Sequence, residues 1–320
     1  MSVFTPVDAE QCAAWLERYE LGTLSAIVPI PEGIQNTNYF VTTDKGRYVL
    51  TLYERIGQAE LRFYLRLLTH LADHGIPCPT PVTANDGEPL GTLNGKPAAI
   101  MSHLPGRSLS TPDPRHCAAL GTLLARLHLA AEACPERIDN PRGMRWCRET
   151  GAQLLPALPA DEQTLLQDEL RFQALFRLED LPRGIVHGDV FRDNVLFDTE
   201  TPGHAPRISG IIDFYFAGAD SLLFDLAVAA NDWCLGADED LARDRTGALL
   251  QAYHRVRPMT AIERGAWPVL LRRTALRFWL SRLRDWHARA TGAMTFTKDP
   301  AAFRDILRRH IVAGSDRPWL

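Results

Sequence analysis

Between helical patterns near residues 161–177 and 239–256, the sequence turns abruptly β-like over Gly184 to Phe216. Short apolar runs there end on polar groups. Gly-Ile-Val leads into His187-Gly188-Asp189, and Val-Leu-Phe follows Asn194. After a turn, Ile-Ser-Gly-Ile-Ile leads into Asp213-Phe214. Strand ends beside loops are where a rigid scaffold holds polar groups over a ligand. Asp189 and Asn194 stand five residues apart across a loop tight enough to aim both at one point. Asp213 closes the following hairpin and can return to that point.

The first third alternates strand-like runs with turn residues. Asn38–Thr43 and Arg47–Tyr53 flank Asp44-Lys-Gly46, a hairpin signature. Leu61, Tyr64, Leu65, Leu68 and Leu71 recur at spacings of three and four, predicting a helix over Gln58–His74 that Gly75 and Pro77 end. A second strand pair, Glu88–Leu93 and Pro97–Ser102, surrounds Asn94-Gly95, and its prolines predict short or edge strands. After Leu104-Pro-Gly106 the character changes. Pro114–Glu132 is helical, with Cys117, Leu120, Leu124, Leu127 and Ala131 on one face, and further helices are expected near 262–290 and 299–313. A strand-rich first third joined by one crossing to a helical remainder is an α+β, two-lobed plan. The hinge falls near Met101 to Gly106, giving lobes 1–103 and 104–320.

Bulk properties exclude little beyond this. A net charge of −4 and 46% hydrophobic residues describe a soluble globular chain without the basic surface that nucleic acid or an acidic membrane would call for. The six cysteines contain no C-x-x-C pair and read as reduced thiols. The first residues lack a basic, then apolar, leader, and no apolar run reaches membrane-spanning length, so a cytoplasmic protein is expected.

The polar set at the strand ends suits phosphoryl transfer. That reaction needs a carboxylate to orient or deprotonate the attacking hydroxyl, and hard oxygen ligands to hold Mg²⁺ against phosphates. Protein kinases use His-Arg-Asp-x4-Asn; here Gly188 replaces the arginine. His187-Gly-Asp-x4-Asn194 followed by Ile212-Asp213-Phe-x-x-Ala217 resembles the aminoglycoside phosphotransferase and choline kinase superfamily. So do Gly33-Ile-Gln-Asn36-Thr-Asn38, Met101-Ser-His-Leu-Pro-Gly106, Leu123-Leu-Ala-Arg-Leu-His128 and Asp225-Leu-Ala. Within it, Tyr48–Arg55, Ile212–Ala217 and Ala275–Trp286 are most similar to the bacterial homoserine kinases unrelated to the GHMP type.

The resemblance implies a protein-kinase-like fold, with a small β-rich nucleotide-binding lobe and a larger, mostly helical catalytic and acceptor-binding lobe. It implies an ATP- and Mg²⁺-dependent kinase for L-homoserine, serving threonine biosynthesis. Asp189 would orient the hydroxyl or act as base, and Asn194 and Asp213 would hold magnesium. His187 would support the loop, and Asp225 would brace it from the start of a helix. Ser102 and Leu104 would bind adenine through the backbone, while Gly33, Asn36 and Asn38 belong to the loop over the triphosphate. Relatives commonly carry a lysine on the strand after the hairpin, where this chain has Thr51. Lys45 and Arg55 are then the candidate phosphate cations, with Glu60 in place of the lysine's usual partner.

An amino-acid acceptor needs a cation for its carboxylate and an acid for its ammonium. Arg277 or Arg282 could supply the first, and Asp220 or Asp232 the second. Other acceptors, namely choline, methylthioribose, hydroxylysine or an aminoglycoside, are the alternatives, as is a kinase-shaped binding module. Blander readings stand beside these. Asp225 could be a plain helix N-cap, His70 and His74 a solvated face, and His128 a packed core histidine. Trp279, Trp286 and Phe278 could be core, and Arg272, Arg273, Arg277, Arg282 and Arg284 merely a solvated face.

Overall fold

The computed structural model describes residues 4–31, 36–198, 205–290 and 298–315. It divides into two compact units. One holds residues 1–105 with 210–215, and the other holds 106–209 with 216–320. The chain thus crosses between units at Pro105/Gly106, two residues beyond the expected boundary. It also returns residues 210–215, Asp213 among them, to the first unit.

The first unit is an antiparallel sheet built from β1 (Leu24–Pro29), β2 (Thr37–Thr43), β3 (Gly46–Leu52), β4 (Gly91–Leu93) and β5 (Lys96–Ser102), in the order β1-β2-β3-β5-β4. Period-two alternation along β2 puts Tyr39, Val41 and Thr43 inside. With Leu50, Leu52, Ala98 and Ile100, Tyr39 and Val41 form a core closed by α1 (Ala9–Leu16), whose Cys12, Trp15 and Leu16 are buried. Burying each such large side chain contributes roughly 1.5–3 kcal/mol. The Trp15 indole N–H also donates to the Thr92 carbonyl at 3.1 Å, which satisfies its one polar atom. In α2 (Gln58–Asp73) the predicted face, Leu61, Tyr64, Leu65, Leu68 and Leu71, is buried, and Gly75 turns left-handed at φ +75°. Asn94 and Gly95, at φ +49° and +77°, make the tight β4–β5 turn. β4 is the short edge expected from its prolines, but β5 is an interior strand. Pro97 is tolerated there because β3 has already ended opposite it, and its carbonyl accepts the Tyr53 N–H at 2.9 Å.

The second unit is mainly helical: α3 (Pro114–Glu132), α4 (Met144–Leu154), α5 (Ala160–Ala174), α6 (Leu223–Trp233), α7 (Arg243–Val256), α8 (Ala261–Ala290) and α9 (Ala301–Ala313). Proline at its first position and an Asp113 cap that accepts from Arg115 and His116 start α3 where the sequence predicts. Gly121 lets α3 meet α7 closely, since a Cβ there would fall 2.2 Å from the Leu249 carbonyl. α8 is the common partner, packing against α4, α5, α6 and α9. α6 is apolar on nearly every side and accordingly buried. The β island resolves into two ribbons. β6 (Arg183–Val186) pairs with β9 (Gly218–Ser221), and β7 (Val195–Phe197) with β8 (Ile208–Ile211).

One sequence reading changes here. Trp286 is 46% exposed rather than core, whereas Trp279 is buried. All six cysteines are free and buried, and burial pushes the Cys12 and Cys147 thiols up to about 11, where they stay protonated. Among the described residues no helix is long and apolar enough to cross a membrane.

Candidate active site around Asp189

The loop from His187 to Asn194 leaves β6 and enters β7 through a short 3-10 turn, Arg192–Asn194. Its shape is imposed from beneath. The Asp225 carboxylate, wholly buried on the first turn of α6, accepts the His187 N–H at 2.7 Å and the Gly188 N–H at 2.8 Å. His128 of α3 lies against the same carboxylate through Nε2 at 3.0 Å, and its Nδ1 meets the Tyr253 hydroxyl at 2.8 Å. Asp225 is therefore no N-cap. Leu222 holds that position, and the carboxylate turns away from its own helix to brace the loop. His128 is both a core residue and part of that brace.

Gly188 at φ +79° makes the bend, and a Cβ would stand 2.7 Å from the Phe216 carbonyl oxygen. The His187 ring accepts the Asp189 N–H at Nδ1, 3.2 Å away, which fits a supporting role. Asn194 donates through Nδ2 to the Asp189 carbonyl at 2.8 Å and to Oδ2 at 3.2 Å, so the two residues meet as their spacing implied. Asp232 is spent on the same loop. It takes the Arg192 backbone N–H at 2.8 Å and the Nε and Nη2 donors of the Arg192 guanidinium, a side-on fork, at 3.1 and 3.2 Å. That use leaves little of it for a substrate ammonium. Nothing in the sequence signals this pairing, because the partners lie 40 residues apart.

Arg277 of α8 is 2% exposed, and its Nη1 stands 3.8 Å from Asp189 Oδ1. Its guanidinium stacks 3.7 Å over Phe278 and 5.1 Å from Phe216. Burial pulls its pKa down to about 10, so it remains charged at neutral pH. Burial likewise raises the Asp189 carboxyl, with Arg277 and His187 opposing that rise. Arg273 is buried too and pairs at 3.3 Å with Asp220, which also accepts from Asn140 at 2.9 Å. Asp220 is thus a structural partner rather than an open acid. Arg282 stacks 4.5 Å over Phe303 and donates to the Asp299 carbonyl at 3.0 Å, tying α8 to α9. Arg272 pairs with the buried Glu169. The solvated-face reading of this arginine series therefore fails for Arg272, Arg273 and Arg277. Further along, Arg142 and Arg284 lie 4.7 and 5.6 Å from the Trp146 ring.

In the first unit, Asp213 holds a left-handed φ of +67°, a strained state for a non-glycine residue and one that often marks functional positions. Two residues on, the Tyr215 hydroxyl meets that of Tyr53 at 3.0 Å, and its ring packs on Tyr53 and Tyr64. This anchor of the Asp213 segment went unseen in the sequence. Asn38 accepts the Thr51 hydroxyl at 2.8 Å across the β2–β3 ladder. Lys45 is at the other end of that hairpin, about 20 Å from Thr51 at 3.4 Å per residue, and donates to the Glu20 carbonyl. It cannot replace a lysine at position 51. Glu60 is exposed on the first turn of α2. Asn36 is buried, with no partner for Oδ1 among the described residues, and Gly33 lies outside them. Ser102 exchanges two bonds with Thr80, both at 2.8 Å, while the Leu104 amide finds no acceptor among the described residues. The rings of His70 and His74 stack at 4.1 Å, and no third His, Cys, Asp or Glu among the described residues completes a metal site.

Residues 26–259 match the model of the phosphotransferase enzyme family (APH). A homoserine kinase from Methylobacillus flagellatus is 50% identical, with 98% of this chain and 96% of that protein aligned. One from Janthinobacterium sp. is 45% identical over 97% and 96% of the two chains. The structure of a GDP complex of aminoglycoside 2′-phosphotransferase-IIIa superposes with a TM-score of 0.64, covering 93% of this chain and 96% of that one at 17% identity. The fold is that of the kinase-like phosphotransferases. With its Asp189–Asn194 loop and its match through most of its length, this chain belongs to the phosphotransferase enzyme family.

Proposed function

We propose that the protein transfers the γ-phosphoryl group of ATP to the side-chain hydroxyl of L-homoserine, giving O-phospho-L-homoserine and ADP for threonine synthesis in the cytoplasm. The observation that carries this reading is the buried cation Arg277 set beside the loop carboxylate Asp189. A carboxylate suits a hydroxyl, and a buried guanidinium suits an acceptor that also bears an anion. The names of the nearly full-length relatives support the same acceptor.

Asp189 accepts a hydrogen bond from the acceptor hydroxyl, aims its oxygen at the γ-phosphorus and takes its proton as the new P–O bond forms and the bond to ADP breaks. Asn194 fixes the Asp189 carboxylate through Nδ2, which leaves its amide oxygen for a hard cation. By their places in the motif, Asn194 and Asp213 would hold magnesium, which would neutralise charge on the phosphates. The Ser102 carbonyl and Leu104 amide are the proposed adenine contacts, and the segment from Gly33 through Asn36 to Asn38 at the start of β2 the proposed phosphate cover.

An aminoglycoside is a polycation, and the arginines around Phe216 and Trp146 oppose it. ADP release measured with L-homoserine, choline, methylthioribose, hydroxylysine and an aminoglycoside should show a rate above water for homoserine alone. No such rate with homoserine would sink the proposal. Asp189→Ala should abolish turnover while ATP binding persists; a near-normal kcat in that variant would remove Asp189 from its role.

A further inference from the structure

Arg277 is a buried guanidinium only partly used. Nη1 lies on the edge facing Asp189, 3.8 Å from Oδ1. Among the described residues, Nε and Nη2 are both buried and have no hydrogen-bond partner. These two nitrogens are not scattered. In a planar guanidinium the Nε–H and the Nη2–H point the same way and form one side-on fork, the geometry that grips both oxygens of a carboxylate. Buried donors are nearly always satisfied, and an unfilled fork on a charged group is costly in the resting protein. Phe278 stacked at 3.7 Å and Phe216 at 5.1 Å fix the plane of the group, so it cannot swing to find another acceptor. Asp220, the nearest buried acid on β9, is already held by Arg273, Asn140 and the Ser221 N–H.

We infer that the Nε/Nη2 fork of Arg277 binds the α-carboxylate of the amino-acid acceptor and makes Arg277 the residue that selects carboxylate-bearing alcohols. The reach is right. In extended L-homoserine the hydroxyl oxygen stands about 5 Å from the carboxylate carbon at ordinary C–C bond lengths. A molecule of that length, bonded to the fork at about 2.8 Å, carries its hydroxyl back past the guanidinium to Asp189 on the other edge. One cation thereby sets the distance between the anchored end of the acceptor and the group that aims its hydroxyl. Arg282, the other arginine considered for this task, has its guanidinium on Phe303 and the Asp299 carbonyl instead.

The inference rests on the homoserine reading, and the test separates the two. Steady-state kinetics would be measured for the wild type, Arg277→Gln and Arg277→Lys, with L-homoserine and with 3-amino-1-propanol, which keeps the hydroxyl and amine but lacks the carboxylate. The wild type should prefer homoserine by about 100-fold or more in kcat/KM, the worth of a charge-assisted fork. Arg277→Gln slows both acceptors by whatever its loss costs Asp189, so the reading is the ratio: homoserine should lose about that factor more than aminopropanol does, and the KM for ATP should hold. Arg277→Lys keeps the cation and most of the volume but not the fork; it should fall between, and it carries the test if the glutamine variant does not fold. L-2-aminobutyrate, which lacks the hydroxyl, should compete with homoserine on the wild type and not on Arg277→Gln. Equal losses on both acceptors, or a raised KM for ATP, would assign Arg277 to the phosphates or to Asp189 and overturn the inference, while leaving homoserine as substrate. A wild type inert toward homoserine would overturn the functional reading itself.

Discussion

Replacing Asp225 by alanine tests whether the catalytic loop is held from below. The carboxylate is fully buried and takes the His187 N–H at 2.7 Å, the Gly188 N–H at 2.8 Å and the contact of His128 at 3.0 Å. Alanine leaves two backbone donors without an acceptor in a dry site, each costing about 1–3 kcal/mol. Relief from no longer burying a charge offsets part of that. The balance is a loss of about 4 kcal/mol, roughly a thousandfold in the folding equilibrium. Urea unfolding would measure the loss, and the thermal midpoint should fall on the order of 10 °C. Activity should fall further than stability explains, because Asp189 lies one residue beyond the released Gly188, and a shift of about 1 Å can cost a hundredfold. Asp225→Asn should land between. Its one amide oxygen can accept one N–H while its NH₂ opposes the other. A loss under about 1 kcal/mol in Asp225→Ala, with kcat intact, would refute the bracing argument.

The same carboxylate predicts a pH dependence. Burial acts to raise its pKa, but His128, His187 and the Gly188 N–H outweigh burial and hold it below the usual carboxylate range. A group depressed in the folded state stabilises the fold above its unfolded pKa of about 3.9, and that contribution is lost as pH falls through the folded value. Wild-type stability should therefore drop in acid below about pH 4, and Asp225→Asn should flatten that limb.

Two further substitutions probe the loop. Gly188→Ala forces a side chain into φ +79° and to within 2.7 Å of the Phe216 carbonyl, so kcat should fall by about 100-fold in steady-state assays, with a stability loss of about 1–3 kcal/mol. Asp232→Ala releases Arg192, and kcat should drop at least about tenfold with little change in the thermal midpoint, because this partly exposed pair contributes little to stability.

The candidate catalytic loop was legible in sequence because its geometry is local. Asp189, Asn194 and the glycine between His187 and Asp189 lie within eight residues, and one turn fixes their relation. Residues that act from a distance were legible only as alternatives. Arg277 and Arg282 look equivalent in sequence, yet five residues along a helix turn the side chain by about 140°. One meets Asp189 and the other Phe303. Asp220 and Asp232 looked like open acids until Arg273 and Arg192 were found upon them. Pro97 suggested an edge strand, because nothing in the sequence says that β3 ends where the proline begins.

The sequence by itself determined the elements and the candidate reacting groups. Hydrophobic period, caps and turn residues fix helices and hairpins through contacts within a few residues, and the motif spacing fixes Asp189 against Asn194. Tertiary structure alone decided which charges are paired and which keep donors without a partner among the described residues. Burial and pairing depend on what another segment, tens of residues away, brings to the same place. Arg272 is consumed by Glu169 and Arg273 by Asp220, while Arg277 keeps its fork.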